Sequence, residues 1–195
     1  MPLRTTLSPQ MIKDLAELYN AGYDAKYYEP YIDRGRAGDI DALEKLTEWK
    51  NPGANDKPMP FVNHRWKRAA WKRFEKWCNE RLIDDRASLR ETFAYRSPVW
   101  AMFWHHVLFG TPIFDVNTNL AFHFFAYRRR IRRDDARIVA GNHWQLYDDY
   151  CCWFGGELQR LRGQDNRINE RMLDRALFEW GRRLGNTLPV SCYCD

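Results

Sequence analysis

The sequence predicts an all-α fold, and three observations carry that expectation. Apolar residues recur at three- and four-residue spacing in segment after segment. Strict alternation of apolar and polar residues over a strand's length is hard to find anywhere, and neither internal repeats nor low-complexity tracts appear. The periodic segments are bounded by helix punctuation: Ser or Asp before them, Pro at the first position, Gly after the last. With 195 residues the chain suits one well-filled core, or two small lobes around a cleft.

Taken in order, Ser8 caps a first helix, with Pro9 at its first position and Met11, Ile12, Leu15, Ala16, Leu18 and Tyr19 along it. Gly22 is expected to end it, and Tyr23 to Gly38 reads as an aromatic, turn-rich stretch. Asp39 caps a helix from Ile40 to Lys50, stopped by Asn51-Pro52-Gly53. The Pro-rich stretch from Asn51 to Pro60 is the clearest loop and the place where two lobes would separate. From Val62 to Leu82, Trp66, Ala69, Ala70, Phe74 and Trp77 alternate with Arg65, Lys67, Arg68, Lys72, Arg73 and Lys76, which describes an amphipathic helix with a basic outer face. A short helix spans about Ser88 to Tyr95. Pro98 to Phe109 is apolar nearly all round, as a buried central helix would be, and Gly110 stops it. Thr111 to Phe114 is a short extended connector, Asp115 caps a helix reaching about Arg130, and two more helices cover Gly141 to Phe154 and Asn169 to Leu184, with Gly185 as the last stop. Residues 1–185 thus read as one helical domain and 186–195 as an irregular tail.

The aromatic content, with nine Trp, ten Tyr and eleven Phe, supplies a firm core and excludes disorder. The longest apolar stretch, Pro98 to Phe109, contains His105 and His106 and falls short of the about 20 residues a membrane span requires. Met1 to Gln10 lacks the basic-then-apolar pattern of a secretory signal, and five Cys with Cys151 and Cys152 adjacent make a poor disulfide framework, so a reducing cytoplasm is the expected setting. The net charge is +5, and every lysine lies at or before Lys76, so the cations of the second half are all Arg. Arg binds phosphate through a planar fork and cannot form a Schiff base. The densest positive run is Arg128, Arg129, Arg130, Arg132 and Arg133, following Tyr127; the Arg65–Lys76 segment is second. Such patches supply the salt-dependent phosphate term of nucleic-acid binding, although Asp134 and Asp135 dilute the first of them.

The most informative block runs from Trp100 to Phe122: buried helix, Gly stop, Pro112-Ile113-Phe114 connector, Asp115, new helix. It resembles the segment of helix-hairpin-helix DNA glycosylases in which a loop delivers an Asp to the start of a helix. It is more similar still to bacterial proteins with the 8-oxoguanine DNA glycosylase fold, through Trp49-Lys50-Asn51, Trp104-His105-His106, Pro112 to Asp115 and Ala176-Leu177-Phe178-Glu179-Trp180-Gly181-Arg182, in that order over residues 39–185. The resemblance implies a monofunctional DNA N-glycosylase that extrudes a damaged or modified base. Asp115 would be its catalytic residue, and Trp49, Lys50, Trp104, His105, His106 and Asn117 would surround the base. A fixed carboxylate at a helix N-terminus is suited to an oxocarbenium-like sugar. The simpler role for Asp115 is that of a helix cap.

Departures from the family pattern are specific. Where the phosphate-gripping hairpin should have glycines stands Tyr95-Arg96-Ser97-Pro98-Val99, leaving Arg96 and Ser97 as the candidate contacts, together with Lys67, Arg68, Lys72 and the Arg128–Arg133 run. The lysine of strand-nicking members has no counterpart, which removes the lyase route, and Asn117 replaces the commoner His. Neither Cys pair in the C-terminal half has the spacing of a zinc knuckle, so no metal or other cofactor is expected. The expected partner is DNA, single-stranded or modified, with the protein a monomer. The rival reading is a non-catalytic DNA-binding or protein-interaction domain that kept the fold.

Overall fold

The computed structural model describes residues 6–19, 21–51, 58–60, 65–80 and 85–186. Among them are ten α-helices and no strand: α1 (Pro9–Glu17), α2 (Ala21–Tyr27), α3 (Glu29–Arg36), α4 (Ile40–Trp49), α5 (Arg65–Glu80), α6 (Arg86–Thr92), α7 (Pro98–Phe109), α8 (Val116–Ala126), α9 (His143–Gln164) and α10 (Glu170–Asn186). The all-helical expectation holds. Most of the 51–60 loop and the tail after Asn186 lie outside the described residues. The chain forms two compact units: residues 1–19 with 112–195, and residues 20–111. The stretch from Asn51 to Pro60, expected to separate the lobes, therefore lies within the second unit.

In the first unit, α10 packs on α8 and α1, and α9 on α8. Helix α1 opens as its residues dictate, with the Ser8 hydroxyl accepting from the Met11 N–H and Pro9 in the first turn. Lys13 pairs with Asp165, tying α1 to the end of α9. Helix α9 is longer than expected, running on past Gly155 and Gly156 to Gln164. Its buried stripe explains the extension: Tyr147, Tyr150, Phe154, Leu158 and Leu161 continue at helical spacing, and burial of that face outweighs two weak helix formers. Helix α8 ends earlier than expected, at Ala126, and Arg128 follows in the left-handed region at φ 55°. The Arg129 N–H turns back onto the His123 carbonyl at 3.1 Å and closes the helix end. Gly185, expected as a stop, lies within α10.

The second unit is built on α7, whose Ala101 to Leu108 are buried; α3 and α6 pack against it. Gly110 closes it in the left-handed conformation at φ 64°, as the sequence indicates. The stretch after Gly22, expected to be turns, instead forms α2 and α3. Tertiary burial overrides local propensity there, since Tyr28 between the two helices is 6% exposed and packs on Trp49 at 4.7 Å. Trp104 is the centre of this core, fully buried and stacked on Phe74 with centroids 4.2 Å apart.

Candidate functional site

The connector Pro112–Asp115 and the first turn of α8 are positioned by side chains of α9 and α10. The Tyr147 hydroxyl donates to the Pro112 carbonyl at 2.9 Å. The Asp174 carboxyl of α10 accepts from the Ile113 N–H. Phe114 is fully buried, with Tyr150 at 4.6 Å and Tyr147 at 5.9 Å. Past Asp115, the backbone of Asn117 meets α10 at Gly181: a Cβ on Gly181 would fall 1.8 Å from the Asn117 carbonyl oxygen. Asp174, Leu177 and Gly181 lie at i, i+3 and i+7 on one stripe of α10, so a single helix face holds the connector at Ile113 and the helix start at Asn117.

Asp115 itself is half-buried and caps α8. Its Oδ1 accepts from the N–H groups of Asn117 (2.9 Å) and Thr118 (3.1 Å), and the Thr118 hydroxyl accepts from the Asp115 N–H at 2.8 Å. This reciprocal capping box fixes the carboxylate against the positive end of the helix. The Asn117 side chain accepts from the exposed Arg133 at 3.0 Å, so a cation suited to phosphate stands beside the same helix start.

Behind this turn lie groups that the sequence does not single out. Asp174 is buried, and desolvation pushes its carboxyl up to about 7; Arg171 and the Ile113 N–H oppose the rise, and the nearby charges of Glu170 and Asp115 add to it. Burial likewise holds the Tyr150 phenol well above its ordinary value, with Asp174 the next cause. Among the described residues, Asp174 Oδ1 and Tyr150 Oη have no hydrogen-bond partner. The site thus joins a half-exposed, amide-held Asp115 to a connector gripped at Ile113 by a carboxyl that burial keeps protonated up to about neutrality.

The titration of Asp174 has a sign that can be tested. Its folded value lies above the unfolded 3.8, so the folded chain holds the extra proton between about pH 4 and 7, and stability contributed by that proton is lost as pH rises through about 7. Asp174→Asn keeps an acceptor for Ile113 without the buried charge. The expected result is a melting temperature that falls from pH 5 to pH 8 in the wild type and falls less in the variant. Thermal melts at both pH values check it; parallel profiles would refute the assignment.

The basic run is exposed on the segment after α8. Asn119 anchors that segment by donating to the Ala136 carbonyl at 2.9 Å, and Ala136 and Ile138 are buried. Arg132 is closed onto Asp135 at 3.0 and 3.2 Å, which weakens its case as a phosphate contact. Arg130 lies over the Phe124 ring at 5.8 Å. Arg129 has no ion pair among the described residues and depresses the titration of His123, after burial, the larger cause. Arg128 begins the run in its left-handed conformation.

The remaining candidates belong to the second unit. The four rings expected around a base are core groups there, because each is spent on packing or an internal hydrogen bond. Trp49 is 6% exposed against Tyr28 and Phe103. Trp104 donates its ring N–H to the Thr47 hydroxyl at 3.0 Å. His105 Nδ1 meets the Thr111 hydroxyl at 3.0 Å. His106 donates from Nδ1 to the Thr111 carbonyl, which leaves Nε2 to accept from the Tyr28 hydroxyl at 2.7 Å. Lys50 is half-exposed, its ammonium 6.0 Å from the Phe103 ring. Arg68, Lys72 and Arg96 are exposed, Lys67 donates to Asn51, and Ser97 sits half-buried at φ 50°.

Of the residues missed, Gly181 stands in the Ala176–Arg182 motif, and Asp174 shows in the sequence as an acid on the inward stripe of α10. Tyr147 and Tyr150 show as the first turns of the α9 stripe. Among the described residues no helix is long and apolar enough to cross a membrane, and no three His, Cys, Asp or Glu are grouped for a metal. No protein-family model matches the chain, and no match was found among curated proteins or solved structures.

Proposed function

We propose that the protein binds DNA and acts as a monofunctional N-glycosylase of the base-excision type, with Asp115 as its catalytic carboxylate. The observation that carries this reading is the mounting of Asp115. It is half-exposed, yet its position is fixed through the connector by Tyr147 and Asp174, through the Asn117 backbone by Gly181, and through its own capping box. A carboxylate held so firmly meets the geometric demand of electrostatic catalysis, since no reorganisation is needed when charge develops.

In the reaction proposed, the bond between C1′ and the base nitrogen breaks and its electron pair leaves with the base. Positive charge grows on the deoxyribose beside Asp115, water adds to C1′, and the proton released by that water goes to the departing base or the solvent. Arg129 and Arg130 are the expected phosphate contacts of the same unit, being exposed and without carboxylate partners among the described residues. No lysine follows Lys76, and the one lysine of this unit, Lys13 on α1, is paired with Asp165.

The capping box favours a second reading. Asp115 Oδ1 already satisfies two backbone amides, which is what a purely structural cap does. In that case the protein is a non-catalytic DNA-binding domain. Incubation of the wild type with a panel of damaged and modified DNAs, followed by alkali, separates the readings: abasic sites support the first, and binding without them supports the second. A further expectation concerns binding. Replacing Arg129 and Arg130 together by Gln should lower the slope of log affinity against log salt by about two on duplex DNA. An unchanged slope would remove both residues from the phosphate interface.

A further inference from the structure

On the second unit, Trp66 is 86% exposed and Tyr95 78% exposed, so neither ring serves the core. Both stand among cations. Arg65, Arg68 and Lys72 form one exposed stripe of α5, Trp66 is exposed about 100° round the helix from Arg65, Arg96 follows Tyr95, and none of the four cations has an ion pair among the described residues. Lys76, one turn further along α5, is instead within 3.6 Å of Glu80. The ammonium of Lys67 lies 6.0 Å from the Trp100 ring, which sets the first turn of α5 beside the first turn of α7, into which the Tyr95–Ser97 turn leads.

We infer that this face takes an unpaired stretch of nucleic acid, with Trp66 and Tyr95 stacking on bases and Arg65, Arg68, Lys72 and Arg96 meeting phosphates. The inference rests on the nucleic-acid side of the proposed function and names the form of the strand, not the chemistry at Asp115. Charge complementarity selects a polyanion, and the isolated, solvent-facing rings select one that presents flat apolar faces. A duplex covers those faces by its own stacking; an unpaired strand exposes them. A lipid surface fits less well, because the apolar side of α5 (Ala70, Trp71, Phe74, Trp77) is buried in the unit and leaves no face to insert. A protein partner fits less well too, because the exposed rings are separated by charge instead of forming a contiguous apolar centre.

Fluorescence anisotropy with a labelled oligo-dT of about twelve nucleotides, and with the dA·dT duplex of equal length, tests the inference. Trp66→Ala should weaken oligo-dT binding at least about tenfold, Trp66→Phe should restore most of it, and duplex affinity should change little. The salt slope of Trp66→Ala should match the wild type, because stacking releases no counterions. The Arg65→Gln, Arg68→Gln, Lys72→Gln triple variant should lower the single-strand slope by about two. Unchanged oligo-dT affinity in Trp66→Ala, an equal loss on duplex, or wild-type binding to phosphatidylserine vesicles but not to oligo-dT would each overturn it. Base release that persists in Trp66→Ala with unaltered strand affinity overturns the stacking face alone, and strand selectivity without base release overturns the glycosylase activity alone.

Discussion

Gly181→Ala is expected to lower stability by upwards of about 3 kcal/mol and the melting temperature by about 6–12 °C, and to disturb the Asp115 turn with it. An alanine Cβ would be forced to 1.8 Å from the Asn117 carbonyl oxygen and 2.5 Å from its carbon, both backbone atoms that cannot rotate away. The intrinsic helix preference for Ala, about 1 kcal/mol, works in the other direction and is too small to offset that overlap. Helices α8 and α10 would have to separate where Asp115 is held. Other glycines supply the contrast. Gly155 and Gly156 of α9 have nothing within 4 Å of an added Cβ, so Ala at either should raise stability by about 0.5–1 kcal/mol. At Gly185 the nearest atom is the end of the flexible Arg133 side chain, which can move. Thermal melts of the four variants check the ordering. A Gly181→Ala protein as stable as the wild type would mean that the close approach of α8 to α10 is not real.

That contact shows where sequence reading succeeds and where it stops. Helix starts are legible wherever a local side chain makes the cap: Ser8, Asp39 and Asp115 all accept from the backbone N–H three residues on. The buried α7 is legible from its unbroken apolar run, and its end from Gly110. Elements decided by distant partners are not. Helices α2 and α3 form around Tyr28, whose neighbours Trp49 and His106 come from elsewhere in the chain, and no local pattern announces that burial. The candidate site divides in the same way. Asp115 and Asn117 are legible because a Gly stop, a Pro-containing connector and a capping Asp form a local pattern. Asp174, Tyr147 and Tyr150 are not, because they reach Asp115's connector from helices more than thirty residues away in sequence. The aromatic motifs around Trp49, Trp104, His105 and His106 show the converse: residues with chemical potential stand in the core, where packing and the hydrogen bonds of Thr47, Thr111 and Tyr28 engage them.

The second large effect is expected at Asp115. Asp115→Asn retains the carbonyl-type oxygen that accepts from Asn117 and Thr118, so the capping box persists and stability should change by no more than about 0.5 kcal/mol. What it removes is the negative charge. If that charge stabilises a sugar cation, its loss should cost about 10²–10³-fold in the rate of base release while DNA affinity stays near the wild type. Asp115→Ala is the companion: it deletes cap and charge together and should also lose about 1 kcal/mol of stability. Separation of rate from stability in the first variant, and their joint loss in the second, is a pattern that a purely structural cap cannot produce.

The most direct test is therefore the single-turnover rate of base release by wild type and Asp115→Asn on one modified-DNA substrate identified from the panel, with product read as alkali-labile abasic strand. With Asp115 as the catalytic carboxylate, the wild type releases the base, the variant loses about 10²–10³-fold in rate at equal melting temperature, and no strand breaks before alkali. Equal rates in the two proteins, or no release by the wild type from any substrate of the panel, would contradict that role and leave Asp115 as the cap of α8.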